Sequence, residues 1–335
     1  MRSLAELDER LSRPSPALVR DLQELDGDIL VLGAGGKLGP SLVSLALRAV
    51  SGTKRVIAVS RFTEEEPARS LEAQGATILR ADITDDAALA ALPEVRNVVF
   101  LVGSKFGSTG REAETWYTNA YLPGRVADRF RASRIVALST GNVYPFTPVG
   151  SGGPTETSPV GPVGEYAMSC LGRERVFSRF AKANGTPLAL IRLNYAVEMR
   201  YGVLVDIGRK VLAGDQVDVT MSAVNVVWQG YANEVTLRAL RHAAPDPFVL
   251  NLTGPETLSV RQLAQRFGEV MGKEAQTTGT EAASALLSNA SKCMQIFGYP
   301  DVTPMQMIDW IAVWLQAGLP LLNKPTGFQK RDGKF

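Results

Sequence analysis

DILVLGAGGKLGPSLVSLALRAV, residues 28 to 50, runs from a short β-rich apolar stretch through spaced glycines into a long segment of leucine, valine and alanine. A strand that ends in a glycine turn and opens a helix packed on the same sheet fits this order. Gly33 permits a tight turn, Gly36 lets backbone approach a pyrophosphate, and Gly39 allows the helix to pack closely on the strand. The amides freed there, together with the helix dipole, face an anion. A glycine-rich turn that binds nothing is the plainer alternative. The position between a strand and a long apolar helix favours the dinucleotide loop.

The same alternation continues along the chain. RVIAVS (55 to 60), ATILRA (76 to 81), NVVFLV (97 to 102), RIVALS (134 to 139), LALIRL (188 to 193) and FVLNLT (248 to 253) are apolar runs of strand length, separated by segments long enough for helices. Such a pattern predicts a Rossmann-type α/β fold, a doubly wound parallel sheet, over about 27–196 with a returning segment near 225–254. Beyond about 197 the rhythm weakens. Helical stretches near 205–213, 258–271 and 304–317 suggest a smaller, discontinuous substrate lobe from 197–224 and 255–322, and another near 230–243 falls in the returning segment. Residues 1–26 read as a helical extension and 323–335 as a polar, basic tail of unknown purpose. The Gly-, Pro- and Ser-rich stretch 147–164 reads as an irregular rim of the kind that carries function.

Composition narrows the partners. The 335 residues are 45% hydrophobic and 21% charged, and 36 Lys and Arg against 34 Asp and Glu leave a formal charge of +2. That balance gives no reason to expect nucleic acid and points to a small-molecule substrate. Cys170 and Cys293 cannot form a disulfide framework, and with the lone His242 they cannot build a metal cluster. With no apolar leader and no membrane-length apolar run, the cytoplasm is the expected location and no membrane contact is expected.

At the end of the second strand, AVSRF places Ser60 and Arg61 where an acidic residue would grip a free ribose 2′-hydroxyl. A hydroxyl and a guanidinium suit a 2′-phosphate, so NADP is favoured, with NAD as the alternative. Arg61 as a plain surface charge is the competing reading. Asp82, in RADITD, stands where an adenine amino group could be met, or simply caps the helix that follows.

The chain resembles the extended short-chain dehydrogenases/reductases, the NAD-dependent epimerase/dehydratase family. The resemblance spans about 28–317 and rests on GAGGKLG, ADITD, STGNVY (139 to 144), Tyr166 with its helix, RLNYA (192 to 196) and NLTGPETLSVRQLAQRFGEVMG (251 to 272). It implies cofactor contacts from Gly33, Gly36, Lys37, Leu38, Gly39, Ser60, Arg61, Asp82, Val102, Gly103, Lys105 and Asn119. It also implies that Thr140 and Tyr166 perform proton chemistry, that Asn194 meets the diphosphate of a nucleotide-sugar substrate unless its stretch simply forms the turn into the second lobe, and that a homodimer is possible. Asn142, Tyr144 and Trp228 are further substrate candidates, each with a structural alternative as turn or core residues.

One departure stands out. Where the family carries a lysine four residues after the tyrosine, GEYAMSCLGRERVF (164 to 177) has Cys170. A phenol with an unperturbed pKa near 10 needs a nearby cation to act as a base at neutrality. A thiol supplies none. Arg173, on the same helical face, and Lys105, in the loop after the fourth strand, are candidate replacements. Against them, Arg173 could pair with an acid and Lys105 could be solvated. A nucleophilic Cys170 lacks any evident activating base. Two readings therefore compete: an NADP-linked epimerase, dehydratase or reductase acting on a sugar, nucleotide sugar or related polyol, and a dinucleotide-binding sensor that has lost its chemistry.

Overall fold

The computed structural model describes residues 1–105, 109–324 and 326–334. Phe106, Gly107 and Ser108, in the middle of the expected cofactor loop, and Pro325 and Phe335, in the tail, lie outside the described residues. Seven strands form the central sheet: β1 (Ile29–Leu32), β2 (Val56–Ser60), β3 (Thr77–Arg80), β4 (Asn97–Phe100), β5 (Arg134–Thr140), β6 (Leu188–Leu193) and β7 (Phe248–Leu252). Their order is β7-β6-β5-β4-β1-β2-β3, and every pairing is parallel. The order reverses between β1 and β4, which opens a crevice at their carboxyl ends.

Burial on both faces explains why these strands read as unbroken apolar runs. On β1, Ile29 and Val31 enter one core, while Leu30 and Leu32 enter the core on the other face. The edge strand β3 carries exposed Thr77 and Arg80 at its ends. Two helices, Leu4–Leu11 and Pro16–Glu24, precede the sheet; Ser3 and Ser15 cap them by accepting from Glu6 N and Leu18 N. Their buried Leu7, Leu11, Leu18 and Leu22 join the larger core.

The second lobe is built on helices Val203–Ala213, Val260–Met271 and Pro304–Gln316, which pack against one another. Short two-stranded pairs bind it to the sheet side: 147–148 with 284–285, and 196–197 with 227–228. These two-residue strands carry no periodicity that a sequence reading could detect. The helix Ser291–Phe297 also lies outside the expected helical stretches. Among the described residues no helix is long and apolar enough to cross a membrane, and no group of three His, Cys, Asp or Glu is placed to hold a metal.

Candidate active site

At two of its glycines the loop after β1 has no room for a side chain. Gly33 has φ +87, and a Cβ there would meet Val102 at 3.0 Å; a Cβ on Gly39 would lie 2.2 Å from the Ala34 carbonyl oxygen. Gly36 has only the Gly33 oxygen near its missing Cβ, at 3.2 Å, and is exposed. The helix Gly39–Val50 begins with Pro40 in its first turn, and its N-cap Leu38 makes no side-chain cap bond. Gly39 N already donates to Gly36 O at 3.2 Å and Pro40 has no N–H, so what the helix start offers an anion is the positive end of its dipole more than free amides. These features fit a dinucleotide pyrophosphate.

Ser60 packs beside this loop, its Oγ 2.8 Å from where a Gly35 Cβ would stand. Arg61 is exposed and makes no ion pair among the described residues; its charge helps hold the Asp82 carboxyl below its usual range, after the bonds from Thr84. Asp82 accepts from Thr84 N at 3.0 Å and Thr84 Oγ1 at 2.6 Å. It forms a turn, and the expected cap of the next helix is Asp85 instead, which accepts from Ala88 N at 2.7 Å.

Lys37 turns inward, with its Nζ 3.6 Å from the centre of the Tyr201 ring. Burial, then repulsion from Lys105 and Lys324, pushes its pKa down to about 7. Asn119, expected at the cofactor, is fully buried with all four side-chain bonding positions occupied. It accepts from Ser104 N and Arg173 and donates to Ser104 O and Ser169 Oγ. It fixes the loop after β4 to the tyrosine helix and has no group left to offer a cofactor.

The end of β5 and the helix Gly164–Asn184 bring Thr140, Tyr166 and Cys170 together. The Tyr166 phenol shares side-chain hydrogen bonds with Thr140 and Cys170. The Thr140 hydroxyl also donates to Asn142 Oδ1 at 3.0 Å and accepts from Asn142 N at 3.1 Å. Burial, then Cys170, pushes the Tyr166 pKa up, against the pull of Arg173 and Thr140. Burial likewise raises the Cys170 pKa, and the thiol is 1% exposed. A neutral, enclosed thiol is a packing residue rather than a nucleophile.

Both expected cations lie here. Arg173 is buried, and its guanidinium donates to Leu138 O, Asn119 O and Asn119 Oδ1 at 2.7, 3.3 and 2.8 Å. Among the described residues it pairs with no carboxylate, so the plain ion-pair reading fails. Gly103 makes its position possible, since a Cβ there would lie 2.8 Å from Arg173 Nη2. Lys105 is not solvated either: its Nζ lies 5.6 Å from the centre of the Tyr166 ring and donates to Thr326 O at 3.4 Å. Burial pushes its pKa down to about 8, with Cys170 and Asp206 opposing.

The substrate candidates divide. Asn142 lines a cavity beside the Thr140 turn together with Tyr144, Phe146, Val163, Tyr195, Leu286, Lys330 and Gly333. Tyr144, also in this lining, is held from behind. Its hydroxyl donates to Thr155 O and Asn251 Oδ1 and accepts from Arg192, which is paired with buried Glu174 at 2.7 Å. Asn194 is 2% exposed, yet its Nδ2 makes no hydrogen bond, and the same holds for Ser288 Oγ nearby. Both lie about 3 Å from where a Gly141 Cβ would stand. Trp228, expected at the cleft, is core: it is 1% exposed and meets Trp310 edge to face at 5.8 Å. The parallel pairing of 227–228 with 196–197 turns it inward.

Ser288, Tyr195 and Lys330 escaped the sequence reading. Tyr195 alone left a trace, in RLNYA, but nothing there announces its positive φ of 49°, a strained backbone of the kind found at functional sites.

The family model for the NAD dependent epimerase/dehydratase family matches residues 29–197. No curated protein sequence matches the chain. Among solved structures, a UDP-glucuronic acid 4-epimerase variant from Bacillus cereus, in complex with a fluorinated UDP-glucuronic acid and NAD, is 17% identical. The match covers 86% of this chain and 99% of that one, with a TM-score of 0.74. A dTDP-glucose 4,6-dehydratase from Streptomyces venezuelae, with NAD bound, is 19% identical over 86% and 97% of the two chains, with a TM-score of 0.73. Pal from Bacillus thuringiensis is 16% identical over 87% and 99%, with a TM-score of 0.72.

Proposed function

Because the chain belongs to the NAD-dependent epimerase/dehydratase family, we propose that it is an oxidoreductase, epimerase or dehydratase of a sugar, nucleotide sugar or related polyol. Tyr166 acts as acid/base and Thr140 polarises the reacting oxygen. The observation that carries this reading is the Tyr166 phenol bonded to Thr140 at the carboxyl end of β5. The turn of Gly33, Gly36 and Gly39 and the first turn of the following helix would hold the dinucleotide. Ser60 and Arg61 would meet a 2′-phosphate, which favours NADP over NAD. When bound, the nicotinamide supplies a hydride donor or acceptor.

The chain's own part is the proton. With its pKa raised by burial, the Tyr166 hydroxyl keeps its proton near neutrality and is poised to donate it to a substrate oxygen, which Thr140 Oγ1 would hold by exchanging its present bond to Asn142 Oδ1. To take the proton back, the phenolate left behind needs a cation. Arg173 and Lys105 supply that charge from two different elements, in place of the lysine absent at 170. In UDP-glucuronate, UDP-glucose and free-sugar assays with NADP and NAD, Tyr166→Phe is expected to lower kcat about 10³-fold with cofactor binding intact. Unchanged turnover overturns the mechanism.

Cys170 supports a second reading, a dinucleotide-binding sensor without hydride exchange, since it adds no charge and raises the phenol pKa. Cofactor binding without turnover across a broad panel of sugars and hydroxy acids is its signature.

A further inference from the structure

We propose that residues 329–334 are a strap that shuts the substrate side of the cleft and must swing away, about the turn at Gly327, before a ligand can reach the Thr140–Asn142 turn. The inference rests on the reading of Thr140 and Tyr166 as the reacting groups and adds a closed state to it.

The root of the strap is fixed. Thr326 donates its N–H and its hydroxyl to Asp206 Oδ2 at 2.8 and 2.6 Å, and Phe328 is buried in the larger core. Gly327, between them, has φ +64, and its carbonyl accepts from Lys330 N at 3.1 Å, so the chain turns there and leaves the core. Beyond Phe328 the described residues are Gln329, Lys330, Arg331, Asp332, Gly333 and Lys334, with no apolar side chain to bury. A segment held without apolar burial belongs to the part of a fold that opens most readily.

Its closed position is nevertheless specified. Arg331 donates to Ser284 O and Oγ at 2.7 and 2.8 Å and lies over the Phe146 ring. Gly333 meets Gly164 with both backbones in the left-handed region, at φ +72 and +83. A Cβ on Gly333 would lie 2.4 Å from Val163 O, and one on Gly164 would lie 2.4 Å from Gly333 O. A side chain at either position would keep the strap off its seat.

The seat lies over the turn that carries Thr140. Lys330 and Gly333 close a cavity against Asn142, Tyr144, Phe146 and Val163. Its volume is about 20 Å³, room for about one water molecule, where ligand pockets hold ~300–1,000 Å³. Asn142 links this cavity to the reacting groups: its Oδ1 accepts from Thr140 Oγ1 at 3.0 Å, and Thr140 is bonded to Tyr166. Val163 directly precedes the helix that carries Tyr166. With the strap seated, nothing larger than water fits beside Asn142. A ligand that needs this turn therefore binds only the open fraction, and its apparent affinity is reduced by that fraction.

The test reads opening without a substrate. Asn142→Cys is placed in the full chain, in the chain ended at Phe328, which keeps both root anchors, and in the full chain with Arg331→Ala. Labelling at residue 142 by N-ethylmaleimide is followed by peptide mass, since Cys170 and Cys293 are also present. Labelling is expected to be about tenfold faster or more in the shortened chain than in the full one, with Arg331→Ala between them. Equal rates in the full and shortened chains, fast or slow, overturn the strap. If the shortened chain loses its circular dichroism signal, Arg331→Ala decides, and labelling unchanged by that substitution overturns the strap. In a second arm, D-glucuronate and UDP-glucuronate are titrated calorimetrically into each NADPH-loaded chain carrying Asn142. At least one probe is expected to bind the shortened chain about tenfold more tightly than the full one. Equal affinity for both chains overturns the strap. Accelerated labelling with neither probe bound by any chain supports the strap and overturns the sugar reading.

Discussion

The glycine turn after β1 and the helix that carries Tyr166 face one cleft, yet they secure their geometry differently. The turn is shaped by what is missing: Gly39 leaves no space for even a methyl group beside the Ala34 carbonyl. The tyrosine helix is shaped by buried charge, with Glu174 paired to Arg192 and Arg173 tied to carbonyls and Asn119. Backbone sterics are local and leave a short motif. A charge network joins residues scattered over the chain and leaves none.

The sharpest break is expected on the tyrosine side. Glu174→Ala strands the Arg192 guanidinium in the core with only the Tyr144 hydroxyl, and is expected to destabilise the fold by about 3–5 kcal/mol in urea unfolding. On the other side, Gly39→Val drives a side chain into the Ala34 carbonyl. NADPH affinity by fluorescence titration is expected to fall about 100-fold, or about 2.7 kcal/mol, with the Tyr166 side still folded.

A milder change sharpens the cofactor half alone. Arg61→Ala is expected to weaken NADPH about tenfold, the loss of one charge-assisted contact, and to leave NADH unchanged. Equal losses for both nucleotides would remove the 2′-phosphate reading. The smallest effect is in pH. Lys37 has its pKa depressed to about 7 by burial and by Lys105 and Lys324, with Asp206 opposing. An anionic ligand favours the protonated amine, so NADPH affinity should rise as pH falls, by about threefold from about pH 7.5 to 6.5. Lys37→Met should flatten that slope. In the unliganded protein the same shift, with that of Lys105 to about 8, makes stability rise with pH from about 7 to the ordinary lysine range.

Legibility followed the same division. The inner sheet strands announce themselves because burial on both faces makes each an apolar run, and the structure places all seven strands, with the more exposed edge strand β3, in one sheet. Gly33, Gly36, Gly39, Thr140 and Tyr166 stand out as candidates because each lies beside a strand end or within a motif. Trp228 was misplaced because a two-residue strand, invisible in sequence, turns it into the core. Asn119 was assigned to a ligand although its partners, Ser104, Ser169 and Arg173, come from two other elements. The tail's purpose stays unknown from sequence, since a polar, basic composition says nothing about contacts made 120 residues away, as between Thr326 and Asp206.

The contact between Gly164 and Gly333 leaves no clearance on either side. Two backbones touching without side chains between them cannot absorb a displacement by changing rotamers. A displacement of Gly333 would therefore bear on the first turn of the helix Gly164–Asn184, in which Tyr166 lies two residues on.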